Sequence, residues 1–465
     1  MNPFQLAGLI LTVVLILGLS VYSGMKNKKT GQKNGAVVVA GIIMGTLVGG
    51  SSTVGTAQLA YDFGLSAWWF TLGGGISCLV LALGFVGPFR HNGGHTLVGM
   101  VNNEFGSTAG VSASILSAVG TFINIISQMI SASAVLAVLF PQMGLVPELI
   151  ITTVFMILYV VIGGAKGAGM VGILKLGLLY LAMIGSGVLV LVLSGGVGGF
   201  VDMVHGIDNP EQVHFFSLFA RGIGTDLGAG VSLLLGVLTT QTYAQAVLWS
   251  KSDRTARIGA LISTFLIPPI GAGGILVGLF MRATHPGIVA KTALTSFVVE
   301  YMPPVFSGIV LGTLFVAVVG TGAGLALGIS FIINEDIVNR LTHKFDGAVK
   351  QRLLGKTWIV LILILACVLS CGSLGDLILG FAFMSMGLRA AAVFAPLCAA
   401  LFFPGKVDHR WAVAAIIVGP VAVLVGKLAG LSFDPLFIGI AASLLLILGG
   451  GIAKKLHSGK LEAET

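Results

Sequence analysis

Long, nearly uncharged apolar stretches recur from one end of this chain to the other, and they limit its fold more than any other feature. A helix that crosses a membrane needs about 20 apolar residues, because its backbone polar groups must be satisfied within the segment. Such stretches occur throughout the 465 residues, of which only 9% are charged. In soluble domains, about a quarter of all residues are charged. The sequence therefore predicts an all-α integral membrane protein without a soluble domain.

Thirteen membrane-spanning helices are predicted from these stretches. Their approximate limits are 4–24, 36–61, 64–88, 108–139, 147–164, 170–195, 228–249, 257–281, 305–333, 357–375, 376–403, 410–428 and 432–453. The longest connection outside the membrane, 196–227, is glycine-rich and acidic. It is interpreted either as a partly helical cap over an entrance or as a floppy connection.

Basic residues alternate sharply between two sets of loops. Nineteen of the 25 Lys and Arg residues lie in one set, four lie in the other set or at its edges, and Lys175 and Arg389 lie inside spans. The positive-inside rule places the basic set in the cytoplasm, with the N-terminus outside and the C-terminus inside. We therefore expect a multi-pass protein of the cell (inner) membrane. Basic residues confined to short loops also argue against nucleic-acid binding.

Two glycine-rich segments interrupt predicted spans. Residues 49–56 combine Gly, Ser and Thr in mid-span, and 320–324 form a second such segment. Broken helices at membrane depth line cavities, where free carbonyls and amides serve as ligands. The pattern is also typical of a helix-packing face, to which the small-residue steps Gly41, Gly45 and Gly49 belong. Ala317, Gly320 and Thr321 share one helix face.

Four segments resemble the sodium/solute symporter family, which includes the sodium–glucose, sodium–proline and sodium–pantothenate transporters. They are GGSSTVGTAQLAYDFGLSAWWFTLGGG (49–75), YVVIGGAKGAG around Gly163 and Gly164, QTYAQAVLWSKSDRTARIGAL (241–261) and PPVFSGIVLGTLFVAVVGTGAGLALGISFIINEDIV (303–338). The resemblance extends over essentially the whole chain. It implies a leucine-transporter-type fold of two inverted five-helix repeats. These would be 36–195 and 228–403, with peripheral helices at 4–24 and within 410–453.

The resemblance also implies a sodium site. The family pattern places its ligands at the carbonyls of Val54, Ala57 and Ala317 and at the hydroxyl of Thr321. A hard cation such as sodium prefers oxygen ligands of these kinds. Gly320 stands where the family has another hydroxyl, so one ligand is missing. Some relatives support a second sodium through an Asp at the position of Gly172, so a second sodium is not expected here.

Lys175 lies inside a span on the side that faces the implied sodium site. An intramembrane charge is costly unless it is paired, hydrated or neutralised. One interpretation is a lysine that extends towards the cytoplasmic interface. The alternative is that its ammonium occupies or tunes the weakened cation site.

Arg389 lies in mid-span without a nearby mid-span carboxylate. It is either a structural arginine or the binding group for a carboxylate-bearing solute, because arginine grips carboxylates bidentately. Other candidate solute contacts are polar residues that could equally bond to neighbouring helices. They are Ser51, Ser52, Thr53, Gln128, Gln241 and Tyr243.

The sequence thus predicts a secondary transporter that moves a small organic solute with sodium by alternating access, an amino acid or carboxylate being favoured. Two alternatives remain open. The first is a proton-coupled or ion-independent transporter in which Lys175 replaces the cation, and the second is a receptor that binds solute without moving it. An enzyme is not predicted, because no convergent catalytic set is present at membrane depth. The expected partners are solute and lipid, and no protein partner is predicted.

Overall fold

The structure is a computed structural model that describes most of the chain. The described residues are 2–26, 33–94, 96–208, 212–338, 348–372, 377–431 and 433–463, with the backbone alone at 17 and over 19–26, 161–173, 335–337, 348–352 and 457–463. Apolar helices dominate throughout, as the composition requires, because only helices satisfy their own backbone in lipid. The all-helical fold class predicted from the sequence is confirmed.

The helices follow one another with short connections. They are α1 (Pro3–Lys26), α2 (Ala36–Leu47), α3 (Thr56–Phe63), α4 (Trp69–Val80), α5 (Val86–His91), α6 (Leu97–Phe105), α7 (Ser107–Leu139), α8 (Leu145–Leu193), α9 (Val197–His205), α10 (Ile223–Leu238), α11 (Gln241–Leu248), α12 (Asp253–Thr284), α13 (Ala293–Tyr301), α14 (Pro304–Ile332), α15 (Ala348–Ser370), α16 (Ile378–Phe402), α17 (His409–Leu428) and α18 (Leu436–Ala463). Short π-helical or 3₁₀ turns connect several of them.

Each of the thirteen predicted spans contains helical structure among its described residues, while 373–376 and 432 lie outside the described residues. Within the described residues, nine helices are long and apolar enough to cross a membrane, or ten if the bent pair α10–α11 is one span. Three shorter apolar helices accompany them, within α1, α2 and the first part of α8. The predicted break between spans 147–164 and 170–195 is wrong, because α8 continues through both for 49 residues. Isolated glycines inside a helix cost only about 1 kcal/mol each, so Gly163 and Gly164 do not end it.

Three helices form the interior of the bundle. In each of α7, α14 and α16, 78% of an apolar 18-residue stretch is buried inside the protein. The corresponding share is 39% in α17 and 28% in α18. The helix α14 packs against α1, α7 and α8, and α16 packs against α7 and α10. The last two helices are therefore peripheral, and the central helices carry the candidate site described below.

The connection before α10 is a packed cap rather than a floppy link. It contains the short helix α9 and then lies against the turn between α3 and α4. The Leu65 amide donates to the Phe215 carbonyl at 2.7 Å, and the Trp69 indole donates to the Leu218 carbonyl at 2.7 Å. These bonds tie the cap to the turn that follows α3.

Close packing of α12 against α3 depends on a residue without a side chain. A β-carbon at Gly278 would lie 2.5 Å from the Ala57 carbonyl oxygen and 2.8 Å from the β-carbon of Ala60. Backbone atoms of this kind cannot move aside without separating the helices. The small-residue spacing therefore sets the distance between these two helices.

We predict that Gly278→Ala lowers the melting temperature of the detergent-purified protein, because overpacking costs about 1–3 kcal/mol. The matched control is Gly185→Ala in α8, where a β-carbon would meet no atom within 4 Å. The control should keep or raise the melting temperature, since alanine favours the helix. Equal melting temperatures for the two variants would contradict the packing argument.

Candidate functional site

The first core helix is interrupted in the middle of the bundle. The helix α2 ends at Leu47, Val48 is extended, and a π-helical turn over Ser51–Gly55 leads into α3. Ser52 exchanges two 3.0 Å hydrogen bonds with the backbone of Gly49, and Thr53 Oγ1 donates to the Gly49 carbonyl at 2.8 Å. The structure therefore has the helix break that the sequence left open, and its own hydroxyls satisfy part of the released backbone.

A side chain from α7 completes this stabilisation. Gln128 Oε1 accepts a 2.9 Å bond from the Gly50 amide, while its Nε2 donates to Ser51 Oγ at 3.1 Å and to Asn124 Oδ1 at 3.3 Å. Ser51 also lies 3.0 Å from Ser127 Oγ. The structure thus brings Ser51, Ser52, Thr53 and Gln128 together at the break, with each engaged by the protein. Their contact with solute stays a prediction.

Two of the predicted cation ligands, Ala317 and Thr321 of α14, lie beside Lys175 of α8. Thr321 Oγ1 donates to the Ala317 carbonyl at 2.9 Å and accepts a 2.9 Å bond from Lys175 Nζ. The ammonium also donates to the Gly45 carbonyl at 3.3 Å. Lys175 is 3% exposed, and no carboxylate pairs with it in the part of the chain that the structure describes. The ammonium is therefore held by the oxygens that a cation would use.

The two other predicted sodium ligands lie elsewhere. Thr321 has its hydrogen bonds with Ala317, Lys175 and Gly45, and none with Val54 or Ala57. The Ala57 carbonyl faces Gly278 of α12 instead. Gly45 precedes the helix break, whereas Val54 and Ala57 follow it. The role of the Val54 and Ala57 carbonyls as sodium ligands stays a prediction.

The residue that replaces the family hydroxyl is covered by an aromatic ring. A β-carbon at Gly320 would lie 3.3 Å from both the hydroxyl oxygen and Cζ of Tyr159. The remaining oxygens beside Thr321 are carbonyls, which suit sodium in kind. They do not suit it in this arrangement, because the Lys175 ammonium already uses them. Gly172 lies where only the backbone is described, so its expected role in excluding a second sodium stays a prediction.

The helix pair α10–α11 also bends, and a buried arginine lies at the bend. The helices α10 and α11 meet at 44°, with Thr240 extended between them. Arg389 Nη1 donates to Thr240 Oγ1 at 2.7 Å, and its Nε donates to the Ser385 carbonyl at 3.1 Å. Its Nη2 bonds weakly to Ser385 Oγ at 3.3 Å and to Met386 Sδ at 2.9 Å. Arg389 is only 1% exposed, and all of these partners are neutral.

The position of Arg389 depends on α7. A β-carbon at Gly120 would lie 2.5 Å from Cγ of the arginine, and Ser385 Oγ donates to the Gly120 carbonyl at 2.6 Å. The close approach of the two helices fixes the arginine stem. The guanidinium is consequently held at the bend between α10 and α11.

A cavity of about 10 Å³, which has room for about one water molecule, lies beside Arg389. Its lining residues are Leu97, Val98, Ser117, Thr121, Thr239, Gln241, Ile332 and Arg389. Gln241 Oε1 accepts a 2.8 Å bond from the Leu97 amide, while its buried Nε2 has no hydrogen-bond partner among the described residues. Arg389 and Gln241, two residues with hydrogen-bond donors, therefore border the same small cavity.

Tyr243 is the last of the predicted solute contacts. Tyr243 is 1% exposed within α11 and does not belong to the cavity lining described above. Ser117 and Thr121 do line the cavity, although sequence reasoning did not select them. Their i, i+4 spacing on α7 was the available signal, since it places both hydroxyls on one face.

The chain matches the model of the sodium:solute symporter family over residues 29–419. Among solved structures, it is similar to a sodium-coupled sialic acid symporter in a substrate-bound outward-open state, with a TM-score of 0.80, 18% identity and 98% coverage of both chains. It is also similar to MhsT in complex with L-phenylalanine, with a TM-score of 0.58 and 16% identity over 90% of this chain and 100% of that chain. A comparison with curated proteins finds no match.

The protein belongs to the sodium:solute symporter family. It is a multi-pass membrane protein and a secondary transporter whose class performs sodium-coupled symport of small solutes. The similar structures share its leucine-transporter-type fold.

We predict that Gln128→Leu destabilises the protein by about 1–3 kcal/mol, because the Gly50 amide loses its buried acceptor. The measurement is the melting temperature in detergent. Asn124→Leu is the control, since Asn124 only accepts one 3.3 Å bond from the same amide. The argument fails if the control loses as much stability as Gln128→Leu.

Proposed function

We propose that the protein takes up a small organic solute bearing a carboxylate, together with sodium, and that Arg389 binds the carboxylate. The observation that carries the proposal is a buried guanidinium whose hydrogen-bond partners are all neutral. Arg389 borders a cavity of about 10 Å³ together with Gln241, whose buried amide nitrogen has no partner among the described residues, and this cavity would have to widen to admit the solute. A charge at membrane depth is costly without a counter-charge, and functional groups account for most such cases.

Arginine suits this role better than lysine because its planar fork matches a carboxylate. A bound carboxylate would take hydrogen bonds that now go to Thr240 and Ser385. The carboxylate would also bring the counter-charge that these neutral acceptors lack, so the exchange favours the anion. Because Thr240 lies at the α10–α11 bend, binding would act directly on the part of the fold that bends.

Sodium is proposed to bind beside Thr321, with the Ala317 and Gly45 carbonyls as further oxygen ligands. Both proposed subsites adjoin helix breaks, which are the places where core helices of this fold class supply backbone ligands. The two repeats, 36–195 and 228–403, would rock around these sites. We propose the cell (inner) membrane as the location, with the N-terminus outside and the C-terminus in the cytoplasm.

Purified protein in liposomes tests the solute class. Unlabelled amino acids and monocarboxylates are compared with their carboxamides as inhibitors of uptake under an inward sodium gradient. We expect the acids to compete and the carboxamides to fail, because only the acids carry the counter-charge. Uptake that is inhibited equally by an acid and its carboxamide would contradict the proposal. Saturable binding without uptake would favour a receptor instead.

We predict that Arg389→Gln weakens apparent affinity for the acid by about 10–100-fold, since a hydrogen bond to a charged group contributes about 1.5–3 kcal/mol. Arg389→Lys should recover part of this loss, because it keeps the charge but not the fork. Arg410→Gln, at an exposed position on α17, is the control and should leave affinity unchanged. If Arg389→Gln transports with wild-type affinity, the arginine is structural.

A further inference from the structure

We propose that the Lys175 ammonium is a tethered cation of the Thr321 site, and that it and sodium exclude each other from that site. The inference rests on the proposed sodium site beside Thr321. It concerns what occupies this site when sodium is absent, and it does not depend on the identity of the solute.

Geometry supplies the first argument. Lys175 Nζ lies 2.9 Å from Thr321 Oγ1 and 3.3 Å from the Gly45 carbonyl oxygen. An ammonium has three donors and no acceptor, so it uses the same oxygen lone pairs that a sodium ion would use. The two cations cannot share these oxygens.

Charge supplies the second argument. A sodium ion on the same oxygens would lie within about 4 Å of the ammonium, and at an effective dielectric of about 20 the repulsion lowers affinity by roughly a thousand-fold. No described carboxylate is paired with Lys175 to offset that repulsion. Sodium can therefore bind here only after the ammonium has moved away.

The loss of the family hydroxyl favours the ammonium. Gly320 provides no oxygen, and the Tyr159 ring packs over the space beside it. The ammonium needs no more than three acceptors, whereas hard cations take about six oxygens. A site with fewer oxygens is thus better matched to the lysine than to the ion.

The lysine can also leave without a movement of its helix. Its ammonium is carried by a flexible four-carbon stem, so the charge can swing while α8 stays in place. In a transport cycle, the ammonium would return to the oxygens once sodium has left. The carrier could then reorient without solute and without an empty cation site.

Sodium binding to the detergent-purified protein tests the exclusion without any transport. Melting temperatures are recorded across a series of sodium chloride concentrations, with choline chloride holding ionic strength constant. We expect Lys175→Gln and Lys175→Met to raise the apparent sodium affinity at least tenfold. Lys175→Arg keeps a tethered charge and should bind sodium as weakly as the wild type. Adding Thr321→Ala to Lys175→Gln should remove the gain.

Lys251→Gln, at an exposed position, is the control for a general effect of removing one positive charge. The melting temperature in choline alone shows whether each variant is folded, and the polar and apolar replacements give two independent chances of a folded protein. The proposal is overturned if the sodium affinity of the folded Lys175 variants is unchanged or weaker, or if Lys251→Gln gains as much.

Transport then separates this inference from the proposed function. In liposomes, Lys175→Gln should retain solute exchange, which needs no return of the unloaded carrier, while net uptake slows several-fold. Equal net uptake in the variant and the wild type would contradict the return role. Loss of acid affinity in Arg389→Gln with no sodium gain in the Lys175 variants would reject this inference alone. A sodium gain without any preference for acids would reject only the proposed solute class.

Discussion

Backbone amides and carbonyls released inside a membrane need replacement partners, and in this protein Ser52 and Thr53 supply them locally while the amide of Gln128 supplies one from α7. It accepts the Gly50 N–H and donates to Ser51, so α7 completes hydrogen bonding that α2 and α3 leave open. Without such a partner, the interruption would cost several kcal/mol for each unsatisfied group. The break in turn separates Gly45, which lies beside Thr321, from the residues of α3 that follow it. The arrangement of the candidate cation site therefore depends on the side chains that stabilise the break.

Two buried cations give the interior an unusual electrostatic character. Lys175 and Arg389 are 3% and 1% exposed, and both are held by hydroxyls, carbonyls and a thioether. Neutral groups of this kind orient a charge but do not cancel it. The interior consequently favours anions near Arg389 and disfavours a further cation near Lys175. The solute proposal and the tethered-cation proposal are two results of the same unbalanced charge.

Much of the fold was predictable because membrane burial leaves few choices. Apolar stretches predicted the helices that the structure describes, whereas the Gly, Ser and Thr residues of 49–56 were compatible with either a break or a packing face. The continuous helix through Gly163 and Gly164 was not predictable, because glycine lowers helix stability by an amount that surrounding packing easily exceeds.

The site was predictable only in part. Thr321, Ala317 and Lys175 came together as their positions on facing helices suggested. Val54 and Ala57 follow the π-helical turn, and their role as sodium ligands stays a prediction. The unpartnered amide of Gln241 depends on a contact with Leu97, which no local pattern reveals.

The ring of Tyr159 over Gly320 has a consequence for how this protein can change over evolutionary time. Serine at position 320 would put its β-carbon 3.3 Å from that ring, closer than nearly all ordinary contacts, before its hydroxyl is placed at all. A hydroxyl at this position therefore requires the end of the Tyr159 side chain to shift by a few tenths of an ångström. The readiness of that ring to move decides whether a single substitution can add an oxygen beside Thr321, and so links the cation site to a residue that supplies no ligand to it.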